Sequence, residues 1–231
     1  MSRRSDESDG RTPRLLVTAG PTHEPIDAVR YIGNRSSGRM GIALATEAAA
    51  RNWPTTLLLG PTPIAPESSS HLTVIRFQTT AELQQELLQQ WPDHDVLIMA
   101  AAVADFRPSR PAGESIPDKL RRTGDTLTIT LEPTPDLLAR IADHTRADQT
   151  VIGFALEPAA QLLDSARDKL HRKRADAIVA NPLETMDAED VRATVVLRDG
   201  KTLNTPAQIA KTAFAVWLLD QLSEIRHQQP Q

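Results

Sequence analysis

Short aliphatic runs alternate along this chain with longer segments whose apolar residues recur at helical spacing. Residues 14–19 (RLLVTA) form the first such run, which ends in Gly20-Pro21-Thr22 and predicts a buried parallel strand. Residues 36–51 carry Met40, Ile42, Leu44 and several alanines behind Ser36-Ser37-Gly38, and predict a helix with a polar N-cap. Residues 55–59 and 72–77 predict two further strands, with Gly60-Pro61-Thr62 closing the first of them. Residues 79–91 place Leu83, Leu87, Leu88 and Trp91 on one side of a helix, and 95–100 is the most apolar strand. Four such units within about a hundred residues predict an α/β fold, a Rossmann-like, doubly wound and mostly parallel sheet.

The texture changes after Asp105. Residues 106–117 hold Pro108, Pro111, Gly113 and Pro117 and predict a loop. Residues 127–131 alternate leucine or isoleucine with threonine and predict an antiparallel strand, and 135–145 predict a helix with proline in its first turn. Strands at 150–155 and 177–180 flank a helix over 159–173. Residues 191–197 and 201–203 predict a hairpin about Asp199-Gly200, after which Thr205 is expected to cap a closing helix that runs to about Ile225. These antiparallel pieces extend the parallel sheet. No repeat or linker divides the chain, so the expected organisation is a disordered leader over 1–13, one domain over 14–225 and a polar tail over 226–231.

Composition narrows the chemistry. Aromatic residues make up only 3% of the 231, so the core is aliphatic and stacking surfaces for single-stranded nucleic acid are scarce. Thirty acidic against 26 basic residues give a net charge of −4, which argues against a nucleic-acid partner. The absence of cysteine excludes a disulfide scaffold, a cysteine nucleophile and thiolate metal sites. The six histidines are scattered without paired spacing, so no zinc site is expected, and no G-x-S-x-G elbow occurs. No apolar run approaches the ~18 residues of a membrane span, and residues 1–13 lack the apolar stretch of a secretory signal. A cytoplasmic protein with no membrane partner is expected.

Ligands of open α/β sheets bind beyond the carboxyl ends of the strands, which directs attention to five segments. Thr18-Ala19-Gly20-Pro21-Thr22 lets backbone approach a phosphate, or makes an ordinary tight turn. The stretch from Arg30 to Gly41 sets glycines, serines, Asn34 and three arginines at a helix start, which suits an anion and equally describes a capped helix with a basic rim. It is neither a G-x-G-x-x-G fingerprint nor a Walker loop. Ala100 to Asp105 leaves room for a flat ring or sugar, with Asp105 placed for a ribose hydroxyl or a metal, or packs as a small-residue seam. Lys119-Leu120-Arg121-Arg122 follows the proline-rich loop and suits closure over a phosphate, or is a solvated charge run. Lys169 and Lys173 share one helix face at i and i+4. An acidic chain that gathers its bases at these places points to a local anionic ligand.

Together these pieces resemble phosphopantothenate–cysteine ligase, also called phosphopantothenoylcysteine synthetase. The likeness rests on Val17 to Thr22, Arg30-Tyr31-Ile32, Asn34-Arg35-Ser36-Ser37-Gly38-Arg39-Met40-Gly41, and Ala100-Ala101-Ala102-Val103-Ala104-Asp105-Phe106-Arg107-Pro108. It continues through Lys119-Leu120-Arg121-Arg122, Pro135-Asp136, Gly153-Phe154-Ala155, Lys169, Lys173 and Ile178-Val179-Ala180-Asn181, all in the family's order. The resemblance implies a stand-alone bacterial-type ligase of coenzyme A biosynthesis, without the flavin-dependent decarboxylase often fused to it and hence without flavin. It joins 4′-phosphopantothenate to cysteine through an acyl-nucleotide, with CTP (or ATP) as co-substrate, Mg²⁺, and a homodimer as the working form.

The resemblance also assigns residues. Asn34 holds the acyl intermediate and Lys119 meets the reacting phosphate. Gly20, Pro21, Thr22, Ser36, Ser37 and Gly38 cradle phosphate. Asp105, Phe154, Lys169, Lys173, Ala101, Ala102 and the segment Pro135, Asp136, Leu137, Leu138 form the nucleotide site. Asn34, Arg35, Ala101 and Ala102 face the substrate. Three departures stand out. Pro133-Thr134 replaces a frequent Lys-Asn and Leu156 and Pro158 replace Ala and Thr, which bear on the choice of CTP or ATP, while Arg39 and Arg121-Arg122 replace lysines, keeping charge but changing geometry. A non-catalytic nucleotide-binding relative and a nicotinamide-dependent oxidoreductase are the alternatives. The oxidoreductase lacks both the glycine fingerprint and a ribose-binding acid after Leu59.

Overall fold

The computed structural model describes residues 11–226 except 112, 123, 125, 186 and 187, so most of the expected leader and tail lies outside it. In chain order the elements are β1 (Leu15–Ala19), β2 (His23–Pro25), β3 (Tyr31–Gly33), α1 (Arg39–Ala50), β4 (Thr55–Leu59), β5 (Leu72–Arg76), α2 (Thr80–Gln90) and β6 (Val96–Met99). Then come β7 (Phe106–Pro108), β8 (Leu131–Pro133), α3 (Leu137–Ala142), β9 (Thr150–Glu157), α4 (Leu162–Lys173), β10 (Ala177–Pro182) and β11 (Asp190–Val191). The chain closes with β12 (Thr194–Leu197), β13 (Thr202–Asn204), β14 (Ile209–Ala210), α5 (Lys211–Asp220) and α6 (Leu222–Arg226).

Eight strands form one sheet in the order β13-β12-β10-β9-β6-β1-β4-β5. Six of them are parallel, and counted in chain order from the β5 edge they run 3-2-1-4-5-6, the doubly wound arrangement. β12 and β13 add to the other edge antiparallel, as the hairpin about Gly200 requires. Alternation across the pleat explains why the central strands read as unbroken apolar runs. Leu15, Val17 and Ala19 face one layer with α1 and α5, while Leu16, Leu58 and Leu97 face α2, α3 and α4 on the other. Both faces are covered, so no residue of β1 is exposed.

Five details depart from the sequence-based expectations. Helix α1 starts at Arg39, and its N-cap is Gly38 at φ 75°. A side chain at Gly38 would lie 3.3 Å from the Gly20 backbone nitrogen, so the chain turns there in a conformation that favours glycine over serine. Residues 106–117 begin with a strand, because β7 pairs with β8, Phe106 opposite Pro133. That pairing offers three positions, so the strand expected over 127–131 forms only from Leu131 and leaves Leu127 and Ile129 exposed. Asp136, whose carboxylate accepts from Ala139 N at 3.1 Å, caps α3 and leaves Pro135 outside the helix. Thr205 is buried and tied to Ala193, and α5 starts at Lys211 after the β11–β14 pairing.

Candidate active site

The strand order reverses between β1 and β6, and a crevice opens beyond their carboxyl ends. Hydrogen bonds sew its floor. Thr18 Oγ1 accepts from Ala101 N at 3.1 Å, Thr22 Oγ1 from Ala104 N at 2.9 Å, Gly20 O from Ala102 N at 2.9 Å, and Ala102 O from Thr22 N at 3.1 Å. This stitching buries Gly20, Pro21 and Thr22 beneath the alanine segment. They support the floor and are not among the residues that line the cavity.

One wall is the start of α1. A Cβ on Gly41 would fall 2.5 Å from the Ala19 Cβ and 2.7 Å from the Thr18 carbonyl oxygen, so glycine lets the helix sit directly on β1. No side chain caps α1 and no acid occupies its first turn, and residues 36–41 line the cavity. The leading N–H groups and the positive end of the helix therefore meet the cavity. Beside them Asn34 is exposed, and its Nδ2 donates to the Val103 carbonyl at 2.9 Å.

The opposite wall comes from β9, β10, α3 and α4. Phe154 lies edge-on to Phe214, with centroids 6.5 Å apart. Lys169 Nζ donates to Glu157 at 2.7 Å and holds that carboxyl below the usual glutamate range. Lys173 pairs with Asp136. Burial pushes the Lys173 ammonium below the usual lysine range, while the charge of Asp105 opposes that shift. Asn181, 8% exposed at the end of β10, lines the cavity with an Oδ1 that has no hydrogen-bond partner among the described residues.

The cavity measures about 970 Å³, at the upper end of the roughly 300–1,000 Å³ of small-molecule sites. Among the described residues, six lysines and arginines line it against two aspartates, Asp105 and Asp136, so its balance is opposite to that of the whole chain. The walls bring together the expected residues Asn34, Arg35, Ser36, Ser37 and Gly38 with Ala101, Ala102 and Asp105. Pro135, Asp136, Leu137, Leu138, Phe154, Lys169 and Lys173 face them. Lys119 is exposed and does not line the cavity. Asn181, Arg172 and Lys211 also line it, though none of the three was assigned a role in the site from sequence. A polar residue ending the apolar run AIVA was the available signal for Asn181, whereas Lys211 arrives from a distant element and left none. No group of three His, Cys, Asp or Glu side chains able to hold a metal occurs among the described residues.

Comparison with known proteins gives a consistent picture. The chain matches the family described as the DNA/pantothenate metabolism flavoprotein C-terminal domain over residues 11–225. It is 41% identical over 187 residues to a cysteine/cysteine sulfinic acid decarboxylase of an unknown prokaryotic organism, covering 79% of this chain and 50% of that protein. It is 37% identical over 193 residues to the coenzyme A biosynthesis bifunctional protein CoaBC of Vibrio cholerae, covering 81% and 47%. The chain thus spans about half the length of the curated relatives it matches. The crystal structure of the C-terminal domain of coenzyme A biosynthesis bifunctional protein CoaBC matches with a TM-score of 0.76 at 31% identity, covering 93% of this chain and 96% of that one.

Proposed function

This chain belongs to the DNA/pantothenate metabolism flavoprotein C-terminal domain family, and on that premise we propose that it is a nucleotide-dependent phosphopantothenate–cysteine ligase. The observation that carries the reading is the cavity at the reversal of strand order, where a helix start and six basic side chains converge in an acidic protein. Two anions must meet there, a carboxylate and a triphosphate, and only concentrated positive potential makes their approach favourable.

In the first step a carboxylate oxygen of 4′-phosphopantothenate attacks the α-phosphorus of CTP. The new P–O bond forms as the α–β bridge breaks, and the electron pair leaves with pyrophosphate. In the second step the cysteine amine attacks the acyl carbon. An amide C–N bond forms, the C–O bond to the nucleotide breaks, CMP leaves and the amine gives up a proton. Lys169, Lys173 and the start of α1 bind the triphosphate, Phe154 and the 135–138 backbone hold the base, and Asp105 takes the ribose. Asn34, Arg35, Ala101 and Ala102 hold the acyl portion. Lys119, carried on the loop that follows β7, meets the reacting phosphate.

The residues fit a magnesium ion carried by the triphosphate. Asp136 is committed to Lys173 and to the α3 cap and Asp105 to the ribose, so the triphosphate itself would hold most of the ion's coordination. Bound there, the ion supplies charge neutralisation. The working form in this reading is a homodimer, supported by the exposed apolar side chains of Phe106, Ile116, Leu127, Ile129 and Leu131.

The test is direct. The protein is incubated with 4′-phosphopantothenate, cysteine, Mg²⁺ and either CTP or ATP, and the products are weighed by mass spectrometry. Phosphopantothenoylcysteine is expected, formed faster with CTP. No cysteine-dependent product with either nucleotide overturns the reading.

A further inference from the structure

Asp27 lies at the tip of the β2–β3 hairpin, far in sequence from the loop that carries Lys119, and its side chain is fully buried. Its Oδ1 accepts from the backbone nitrogens of Val29 at 2.9 Å and Arg30 at 2.7 Å. Its Oδ2 accepts from the Arg30 guanidinium and, across 93 residues of chain, from Leu120 N at 3.0 Å. Arg30 Nη2 completes the clasp by donating to Leu120 O at 2.9 Å. The neighbouring contacts run the same way: Ala28 N donates to Pro117 O at 3.0 Å, and Arg110 Nη2 donates to the carbonyls of Pro25 and Ile26. The segment from Arg110 to Leu120 is therefore hooked to this hairpin at three points, and the last lies one residue from Lys119.

A turn of its own would need only Oδ1 from Asp27. The second oxygen, with its ionic partner, is spent on a backbone amide of another loop. That amide carries no sequence information, so the contact serves to fix where the loop lies. The hairpin runs through β3 straight into Asn34, so one buried carboxylate sets Lys119 relative to Asn34. Neither Asp27 nor Arg30 lines the cavity.

We infer that Asp27 is a positioning residue that anchors the Lys119 loop to the β2–β3 hairpin and thereby sets the rate of the nucleotide-transfer step. The functional half of this inference rests on the ligase reading; the anchoring half does not. Lys119, Arg121 and Arg122 are trypsin sites, so the anchor has a readout independent of activity. In Asp27→Asn the charge-assisted bonds to Arg30 and Leu120 are lost, and cleavage at 119–122 is expected to accelerate about tenfold or more, with cleavage elsewhere unchanged. Pyrophosphate release driven by 4′-phosphopantothenate should lose kcat by about tenfold with KM for CTP unchanged, since the nucleotide cavity is untouched. Arg30→Gln removes the ionic partner of Asp27 and the bond to Leu120 O while leaving the 119–122 sites unaltered, and it should reproduce both effects should Asp27→Asn fold poorly. Unchanged cleavage at 119–122 in both variants overturns the anchor. Faster cleavage with wild-type kcat overturns the positioning role. A wild-type protein that releases no pyrophosphate sinks the ligase reading and the functional half with it, and the cleavage comparison still decides the anchor.

Discussion

Lys173 and Asn181 face the cavity with different unmet needs. Lys173 has its ion pair with Asp136, yet burial still lowers its ammonium below the ordinary lysine range, so a phosphate beside it would favour the charged form. Lys173→Met is expected to weaken CTP binding about tenfold or more by calorimetry, with the fold intact because Asp136 still caps α3. Asn181 keeps a buried acceptor without a partner among the described residues, and such a group costs about 1–3 kcal/mol. Asn181→Leu should therefore melt at the wild-type temperature or above while ligand binding weakens. A lower melting temperature with unimpaired binding would assign Asn181 to the fold instead. Asp27 adds a pH dependence. The Arg30 guanidinium, helped by backbone donors, holds its carboxyl well below the usual aspartate range against the cost of burial. A depressed folded-state pKa gives stability that is full above the unfolded value and is lost as pH falls through and below it. The acid side of the melting-temperature curve should accordingly be shallower in Asp27→Asn than in the wild type.

At the scale of elements, α1 and β1 make the site together, and Gly41 decides their distance. Alanine in a helix interior is favoured over glycine by about 1 kcal/mol. A Cβ here, however, would press on the Ala19 side chain and the Thr18 backbone, and overpacking of that kind costs about 1–3 kcal/mol. Backbone atoms have little room to yield, so Gly41→Ala should lower the denaturation midpoint and weaken CTP binding as the helix start moves off the floor. The same close approach explains what sequence pattern concealed. Ser36 and Ser37 are standard capping residues, and the pattern predicted a helix beginning with them; the turn into α1 passes so near Gly20 that Gly38 takes the cap. The central strands were legible because burial on both faces makes them continuous apolar runs. The β7–β8 pair was hidden because Pro108 and its neighbours read as punctuation, and the partner lies more than twenty residues away. Thr205 has the chemistry of a cap and uses its hydroxyl on Ala193 instead, a tertiary contact no local pattern announces.

For the whole molecule, the acidic total proved less informative than where the bases sit. The strand ends and helix starts named their own segments, and the expected residues Asn34 to Gly38, Ala101, Ala102, Asp105, Pro135 to Leu138, Phe154, Lys169 and Lys173 line the cavity, while Arg172 was not expected there and Lys119 and the buried Gly20-Pro21-Thr22 turn fall outside it. Local sequence shows which residues are available to a ligand and cannot show which of them the sheet stacks beneath others. Ligands that bind only the folded state raise its melting temperature by mass action, so CTP with Mg²⁺ at a hundred times its dissociation constant should add about 2.7 kcal/mol, and NADH should add nothing. The proposed homodimer predicts a sedimenting mass twice the 25.3 kDa of one chain, and Leu131→Asp, on the exposed apolar stretch, should halve it.

The central claim is that the carboxylate is activated by direct bonding to the nucleotide's phosphorus. The decisive measurement is a ligation run with 4′-phosphopantothenate carrying ¹⁸O in both carboxylate oxygens. The account predicts that each CMP released bears one ¹⁸O on its phosphate, the bridging oxygen of the acyl-nucleotide, and that the pyrophosphate bears none. Unlabelled CMP, or label appearing in pyrophosphate or inorganic phosphate, would contradict it.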